Sequence, residues 1–153
     1  MERDDLLRKL ESLAQLDTDA VRVYDEALEH TTDDEVREAF QRFQGEHQYH
    51  ATTLADTIER LGGKRPDLKV DLAGHLADWV TSMRSIRGTQ GALHAMETAE
   101  RYHNRHYDEA VTWDLGDADL ATTLRRFSDD EKRHLAFVED KLGKVAATPG
   151  TSR

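Results

Sequence analysis

The sequence contains no cysteine and only two prolines, and aromatic residues make up 7% of its 153 residues. Without cysteine, a disulfide framework, a zinc knuckle and thiol catalysis are excluded. No apolar stretch approaches the roughly 20 residues that a membrane-spanning helix needs. The charged first five residues are not expected to be a signal peptide. We therefore expect a soluble, cytoplasmic protein.

Acidic residues dominate the charge of the chain. The sequence has 31 Asp and Glu against 21 Lys and Arg, which gives a formal net charge of −10. A surface of this sign repels nucleic acids and anionic lipids, so we expect binding to neither nucleic acid nor a membrane. The length suits one domain with a real hydrophobic core. The scarcity of proline and of β-branched runs, together with 34% charged residues, favours an all-α fold.

Apolar residues recur at three- and four-residue steps, which predicts four long amphipathic helices and one short one. The predicted ranges are about 4–29, 33–61, 71–83 (the short helix), 89–113 and 117–142. Thr32 and Glu35 predict a capping box at the start of the second long helix, and Gly62 and Gly63 predict its end.

The connections between the helices predict the topology. The short loop after the first helix makes the first two helices antiparallel. The link 62–88 is long enough to return along a helix of about 42 Å. We therefore predict a crossover that makes the second and third long helices parallel, as in four-helix bundles with one long connection. The bundle is predicted to span 1–143 and to be followed by a disordered tail at 144–153.

Two stretches of the chain occur twice. Segment 42–50 matches segment 126–134, 84 positions later, at an Arg, a Phe, an acid and the closing His. Segment 24–28 matches segment 107–111, 83 positions later, and each begins with a tyrosine. We interpret the chain as one helical hairpin written twice.

Acids and histidines fall at mid-height on the inner faces of the predicted helices. A pair such as Glu131 and His134, three positions apart on one helix, can reach a single metal ion. Buried carboxylates cost several kcal/mol each unless they are paired or ligated, and a divalent metal compensates several at once. We therefore predict a metal site in the bundle core. Its candidate ligands are Asp17, His47, His50, Glu100, Glu131 and His134.

The pattern of these residues resembles that of the ferritin-like superfamily. In that superfamily the first and third helices each give a carboxylate to a dinuclear metal centre, and the second and fourth each give Glu-x-x-His. More closely, the chain resembles bacterial ferritin-like domains of the rubrerythrin-like, erythrin–vacuolar type, including the segment 85–96. The likeness covers about residues 6–142. It implies a ferritin-like bundle that binds Fe or Mn, with Zn as a further candidate, and oxidoreductase activity toward dioxygen or peroxide. The residues that match the superfamily pattern are Asp17, His50, Glu100, Glu131 and His134.

His47 stands where the superfamily has the glutamate of the second helix. Either His47 binds the metal directly, or Glu46, about 100° away around the helix, reaches in through a local adjustment such as a π-bulge. On the third long helix, Glu97 and His103 stand three positions before and after Glu100. They are either further ligands or part of a solvated face.

A second function stays open beside the metal-binding one. The same acids and histidines would form a metal-free polar core in a structural or stress-associated bundle, with His50 and His134 hydrogen-bonded to acids. Hemerythrin-like oxygen binding is not expected, because the His-x-x-x-His and His-x-x-x-Glu spacings are absent. The apolar crossover segment with Trp79, together with Trp113, predicts a homodimer, since such residues often lie at interfaces.

Overall fold

Five α-helices make up the regular structure of the part of the chain that is described. The computed structural model describes residues 1–71, 74–85 and 87–151, with side chains as far as Gly143. The helices are α1 (Arg3–His30), α2 (Asp34–Arg60), α3 (His75–Ser85), α4 (Gly88–Ala110) and α5 (Ala118–Thr151). None of these helices is long and apolar enough to cross a membrane.

The long helices α1, α2, α4 and α5 form a four-helix bundle with the predicted crossover. Asp17 of α1 contacts Tyr107 of α4. Tyr24, further along α1, contacts Glu100, which lies earlier in α4. Helices α1 and α4 therefore run antiparallel. Because a three-residue turn also folds α2 back along α1, α2 and α4 run parallel, and the predicted architecture is confirmed.

The crossover runs along α1 and then packs its own helix, α3, onto the bundle. The side-chain amide of Gln15 donates to the carbonyl of Lys69 at 2.7 Å, near the start of the crossover. Leu76, Trp79 and Met83 of α3 are buried in the core. The sequence predicts that this helix starts near residue 71, but in the structure it starts at His75. Residues 72 and 73 lie outside the described residues.

The predicted capping box at the start of α2 is wrong. Asp33 is the N-cap, and its Oδ1 accepts the backbone N–H of Val36 at 2.9 Å. Thr32 instead donates its backbone N–H to Thr89 of α4 at 2.9 Å, and Glu35 forms an ion pair with a lysine of α5. Aspartate caps a helix at least as well as threonine, so the cap moves by one residue while Thr32 and Glu35 join neighbouring helices.

The last helix extends beyond its predicted end. Its backbone is helical to Thr151 rather than to about Leu142. The side chains beyond Gly143 lie outside the described residues, and the disorder of 144–153 stays a prediction. At the other end of the bundle, Gly62 has a φ of +81° and ends α2 where the sequence predicted.

A layer of buried polar side chains lies between two apolar clusters in the bundle core. The cluster nearer the α1–α2 turn includes Val23, Phe40, Phe43, Trp79, Met83, Met96 and Val138. The cluster nearer the end of α2 includes Leu10, Leu13, Leu54, Ile58, Leu124 and Phe127. The helices thus hold the polar layer at mid-height, away from both ends of the bundle.

Candidate metal centre

The six residues predicted as ligands lie together in this polar layer, and each is at most 1% exposed. All four long helices contribute, because each places its polar residue on the same stripe as its core residues. The contributions are Asp17 from α1, His47 and His50 from α2, Glu100 from α4, and Glu131 and His134 from α5.

Four of the six residues form a group that we call the Asp17 cluster: Asp17, His47, His50 and Glu131. One donor atom from each lies within 4.8 Å of the others. The Nδ1 atoms of His47 and His50 are 2.8 and 3.3 Å from Asp17 Oδ1. The same two nitrogens lie 3.4 and 3.3 Å from Glu131 Oε1. Two imidazoles and two carboxylates therefore converge on one position.

A second group, the Glu100 cluster, contains His47, Glu100, Glu131 and His134, again with donor atoms within 4.8 Å of one another. His47 Nε2 is 3.4 Å from Glu100 Oε1. His134 Nδ1 is 3.7 Å from Glu100 Oε2 and 3.8 Å from Glu131 Oε2. The two clusters thus share Glu131, which has one carboxylate oxygen in each cluster. They also share His47, which has one ring nitrogen in each cluster.

Acids outside the clusters fix the orientation of two imidazoles. His50 Nε2 is hydrogen-bonded to Asp130 Oδ2 at 2.9 Å, and His134 Nε2 contacts the carboxylate of Glu46. Arg133 donates to both of these acids, at 3.0 Å to Glu46 and 2.7 Å to Asp130. Each imidazole therefore turns its Nδ1 inward, the arrangement in which an outer carboxylate orients a metal-binding histidine.

The same contacts bear on the choice between His47 and Glu46. Helix α2 is α-helical throughout from Asp34 to Arg60, without a π-bulge. His47 is fully buried and belongs to both clusters, whereas Glu46 belongs to neither and contacts His134 from outside. The structure therefore places the histidine, and not its acidic neighbour, in the inner position.

Two buried tyrosines donate hydrogen bonds to the acids. Tyr24 donates its hydroxyl to Glu100 Oε1, and Tyr107 donates to Asp17 Oδ2 at 2.5 Å. Burial, and then the adjacent carboxylate, raise the pKa of each phenol well above its ordinary value. Both hydroxyls therefore keep their protons and remain donors.

The charges of the layer are strongly coupled. Burial alone would lower the pKa of His47, but the carboxylates of Glu131 and Asp17 outweigh it and raise the pKa to about 10. Burial also opposes the charged form of His50, whose pKa the surrounding carboxylates likewise raise to about 10. Although burial acts in the opposite direction, the imidazoles hold the pKa of Asp17 and that of Glu100 below their ordinary values. Protonated imidazoles thus face ionised carboxylates, and a metal cation can replace those protons.

Several buried nitrogen and oxygen atoms of this layer have no hydrogen-bond partner among the described residues. They are Glu100 Oε2, both carboxylate oxygens of Glu131, His134 Nδ1 and both ring nitrogens of His103. Each unsatisfied buried group costs on the order of 1–3 kcal/mol. Carboxylate and imidazole donors suit Fe, Mn and Zn, so the residues present fit such an ion.

The remaining candidates of α4 lie in different places. Glu97 is partly exposed and forms an ion pair with Arg101 at 3.5 Å, outside the clusters. His103 is 1% exposed and faces the Glu100 cluster. Sequence reasoning missed Asn104, whose side-chain amide donates to the backbone carbonyls of Glu100 and Glu131 and so joins α4 to α5. The one signal for it was a lone amide on the inner face of the helix.

Comparisons with known proteins agree with this fold. A family model described as Domain of unknown function (DUF2383) matches residues 5–113. A comparison with curated proteins found no match. A solved structure described as a ferritin-like, diiron-carboxylate protein from Bacillus anthracis strain Ames is similar, with a TM-score of 0.74 and 17% sequence identity. That match covers 93% of this chain and 99% of the other. Since the family model spans well over half of the sequence, this chain belongs to the DUF2383 family. The similar solved structure shows that its fold is ferritin-like.

Proposed function

We propose that this protein binds one or two metal ions, Fe or Mn with Zn as a further candidate, in the core of the bundle. We propose further that it is an oxidoreductase acting on dioxygen or peroxide. The proposed ligands are Asp17, His47, His50, Glu100, Glu131 and His134. The observation that carries the proposal is the convergence of buried carboxylate and imidazole atoms, several of them unpartnered, on two adjacent positions.

Each cluster would hold one ion, with Glu131 between the two. Asp17 and His50 belong to the first position, and Glu100 and His134 to the second. His47 directs one ring nitrogen toward each position. As a neutral imidazole it would bind only one of the two ions, and binding both would require loss of its second ring proton. The glutamate of the superfamily pattern would instead supply a bridging carboxylate. Three carboxylates and three imidazoles give fewer bridges than the superfamily pattern, so the proposal includes both a mononuclear and a dinuclear site.

The surrounding residues prepare the site for redox chemistry. A bound redox metal supplies the binding and reduction of the oxidant. The negative charges of Asp17, Glu100 and Glu131 would stabilise the higher oxidation state of such an ion. The hydroxyls of Tyr24 and Tyr107 hold protons at the two acids of α1 and α4.

The burial of the site limits the reactant. All six proposed ligands are at most 1% exposed, so a molecule that reaches them must be small. Dioxygen and hydrogen peroxide meet this limit, whereas a large organic substrate would require the helices to separate. The likeness in fold to a structure described as a diiron-carboxylate protein also supports iron as the metal.

A metal-free structural or stress-associated bundle is the second candidate. Its support is that many polar atoms of the layer are satisfied within the protein. His47 is hydrogen-bonded to Asp17 at 2.8 Å, His50 is hydrogen-bonded to Asp130 at 2.9 Å, and both tyrosines donate to carboxylates. In this case the layer would set the register of the helices.

Thermal unfolding with and without metal separates the two functions. We expect Fe(II) under anaerobic conditions, Mn(II) or Zn(II) to raise the melting temperature of the wild type. At a free metal concentration of about 100 times Kd, the stabilisation is about 2.7 kcal/mol, which corresponds to roughly 5–10 °C for a chain of this size. Glu131→Ala should lose this shift, because Glu131 supplies an oxygen to both clusters.

The matched control is Glu139→Ala, which removes an exposed carboxylate from the same helix. It should keep the wild-type shift. Equal shifts in wild type and Glu131→Ala would mean that the ions bind elsewhere and would remove the site. No shift in any of the three proteins would support the metal-free bundle.

A further inference from the structure

His103 is a buried imidazole without a hydrogen-bond partner on either ring nitrogen. Its Nδ1 lies 3.7 Å from Glu100 Oε2 and 3.8 Å from Glu131 Oε2. The Nδ1 of His134 lies at these same distances from the same two oxygens. Because N–H···O hydrogen bonds are about 2.7–3.2 Å long, neither nitrogen is hydrogen-bonded to either oxygen.

The four nitrogen–oxygen separations are slightly longer than those between two ligands of one ion. With metal–ligand bonds of about 2.1 Å, neighbouring ligand atoms stand about 3.0–3.4 Å apart. The observed separations of 3.7 and 3.8 Å exceed this by less than 1 Å. A small contraction of the side chains would therefore bring each nitrogen to the spacing of a fellow ligand from both oxygens.

Helix α3 encloses the outer side of this imidazole. The indole ring of Trp79 lies 5.8 Å from the ring of His103, centroid to centroid, at 90°. The ring of His47 lies 5.1 Å away on the inner side. The crossover thus shields His103 from solvent, and the alternative that this part of α4 is a solvated face is excluded for His103.

The repeat provides no counterpart of His103 in the first half of the chain. The offset of 83 that relates Tyr24 to Tyr107 places Ala20 at the equivalent position of α1. The Glu100 cluster can therefore use His103 and His134 as imidazoles of its own, whereas the Asp17 cluster has only His50. The two halves of the repeat are chemically unequal at this point.

We propose that His103 is a further metal ligand and that it acts at the Glu100 cluster alone. It makes that position richer in nitrogen donors, so the position favours Zn(II) or Fe(II) over Mn(II) compared with the Asp17 cluster. The reason is that imidazole suits zinc and iron, whereas carboxylate and water suit manganese. This inference rests on the proposed metal-binding function.

Calorimetric titration of the protein with Zn(II) and with Mn(II) tests the proposal. His103→Ala introduces the residue that the repeat has at position 20. It should weaken the tighter Zn(II) step by about 10–100-fold and should weaken Mn(II) binding less. The control is His106→Ala, which removes another imidazole one turn further along α4 and should titrate like the wild type.

The outcomes distinguish this inference from the function on which it rests. If the wild type binds Zn(II) and His103→Ala binds it equally well, His103 is not a ligand, while the proposed function stands. If the wild type binds neither metal, both proposals fall.

A second measurement needs no variant and so does not depend on the folding of His103→Ala. Anomalous diffraction from wild-type crystals loaded with Zn(II) should place an ion about 2.0–2.1 Å from a ring nitrogen of His103. An ion bound in the Glu100 cluster with the His103 ring out of bonding distance, or with a water molecule between them, would overturn the proposal.

Discussion

Tyr24 and Tyr107 occupy equivalent positions of the repeat, and each donates a hydrogen bond to the acid in the other half of the chain. Tyr24 of α1 donates to Glu100 of α4, and Tyr107 of α4 donates to Asp17 of α1. The repeat in the sequence identified the two tyrosines as equivalent positions. It could not predict the exchange, because the exchange depends on the antiparallel packing of α1 against α4, which brings each tyrosine beside the acid of the opposite helix.

Removing one hydroxyl tests how much the exchange contributes to stability. In Tyr107→Phe, Asp17 Oδ2 loses its donor while the ring still fills the core. We expect the free energy of unfolding of the metal-free protein to fall by about 1–3 kcal/mol, as measured by urea denaturation. Tyr49→Phe is the control, since Tyr49 is 55% exposed, and it should change stability by less than about 0.5 kcal/mol. Equal effects of the two substitutions would contradict the assigned role.

Individual residues of the candidate site differ in how far the sequence could predict them. Asp17 and Glu131 break an otherwise apolar stripe, which marks them from periodicity alone. For His103, the sequence left two alternatives open, because its environment depends on α3 lying over it. Glu46 and His47 are adjacent on α2, and only the packed bundle shows which of them points inward.

At the scale of the helices, periodicity located every element, and contacts between elements decided the details. The long link predicted the parallel arrangement of α2 and α4, because chain length alone limits how far a link can reach. The capping prediction failed for the opposite reason. A local pattern describes one helix, whereas Thr89, 57 residues further along the chain, engages Thr32.

The contact between α3 and α1 predicts a pH-dependent contribution to stability. Glu26 of α1 is buried, and Arg84 of α3 contacts it at 2.9 Å, with Arg22 and His30 also nearby. The Arg84 guanidinium is the main reason that the pKa of Glu26 is below its ordinary value of 4.5. A lowered carboxyl pKa in the folded state stabilises the protein above 4.5, and this stabilisation is lost as the pH falls below that value.

We therefore compare the free energies of unfolding, measured by urea denaturation, as the pH is lowered from about 6 to about 4. This free energy should decrease less in Arg84→Gln than in the wild type. Since the Arg84 side chain is 63% exposed, the difference should be at most about 1 kcal/mol. Arg105→Gln, an exposed substitution on α4, should follow the wild-type pH dependence. An identical pH dependence in Arg84→Gln and the wild type would show that the contact contributes nothing.

At the scale of the whole molecule, two similar hairpins enclose one polar layer, and the unrepeated crossover covers one side of it. The two tryptophans that support the homodimer prediction both have contacts within the chain. Trp79 packs into the core, and the Trp113 ring is partly buried with the ammonium group of Lys9 at 5.3 Å from its centre. The homodimer stays a prediction, as does the cytoplasmic location.

Native mass spectrometry of the untagged protein, purified without chelators, shows directly whether the chain binds metal ions. We expect the mass of the 17.4 kDa chain, or of its dimer, with roughly one or two metal ions per chain. Glu131→Ala, prepared in the same way, should carry fewer ions. A folded wild-type protein that shows only the bare chain mass, before and after incubation with Fe(II), Mn(II) or Zn(II), would contradict the account.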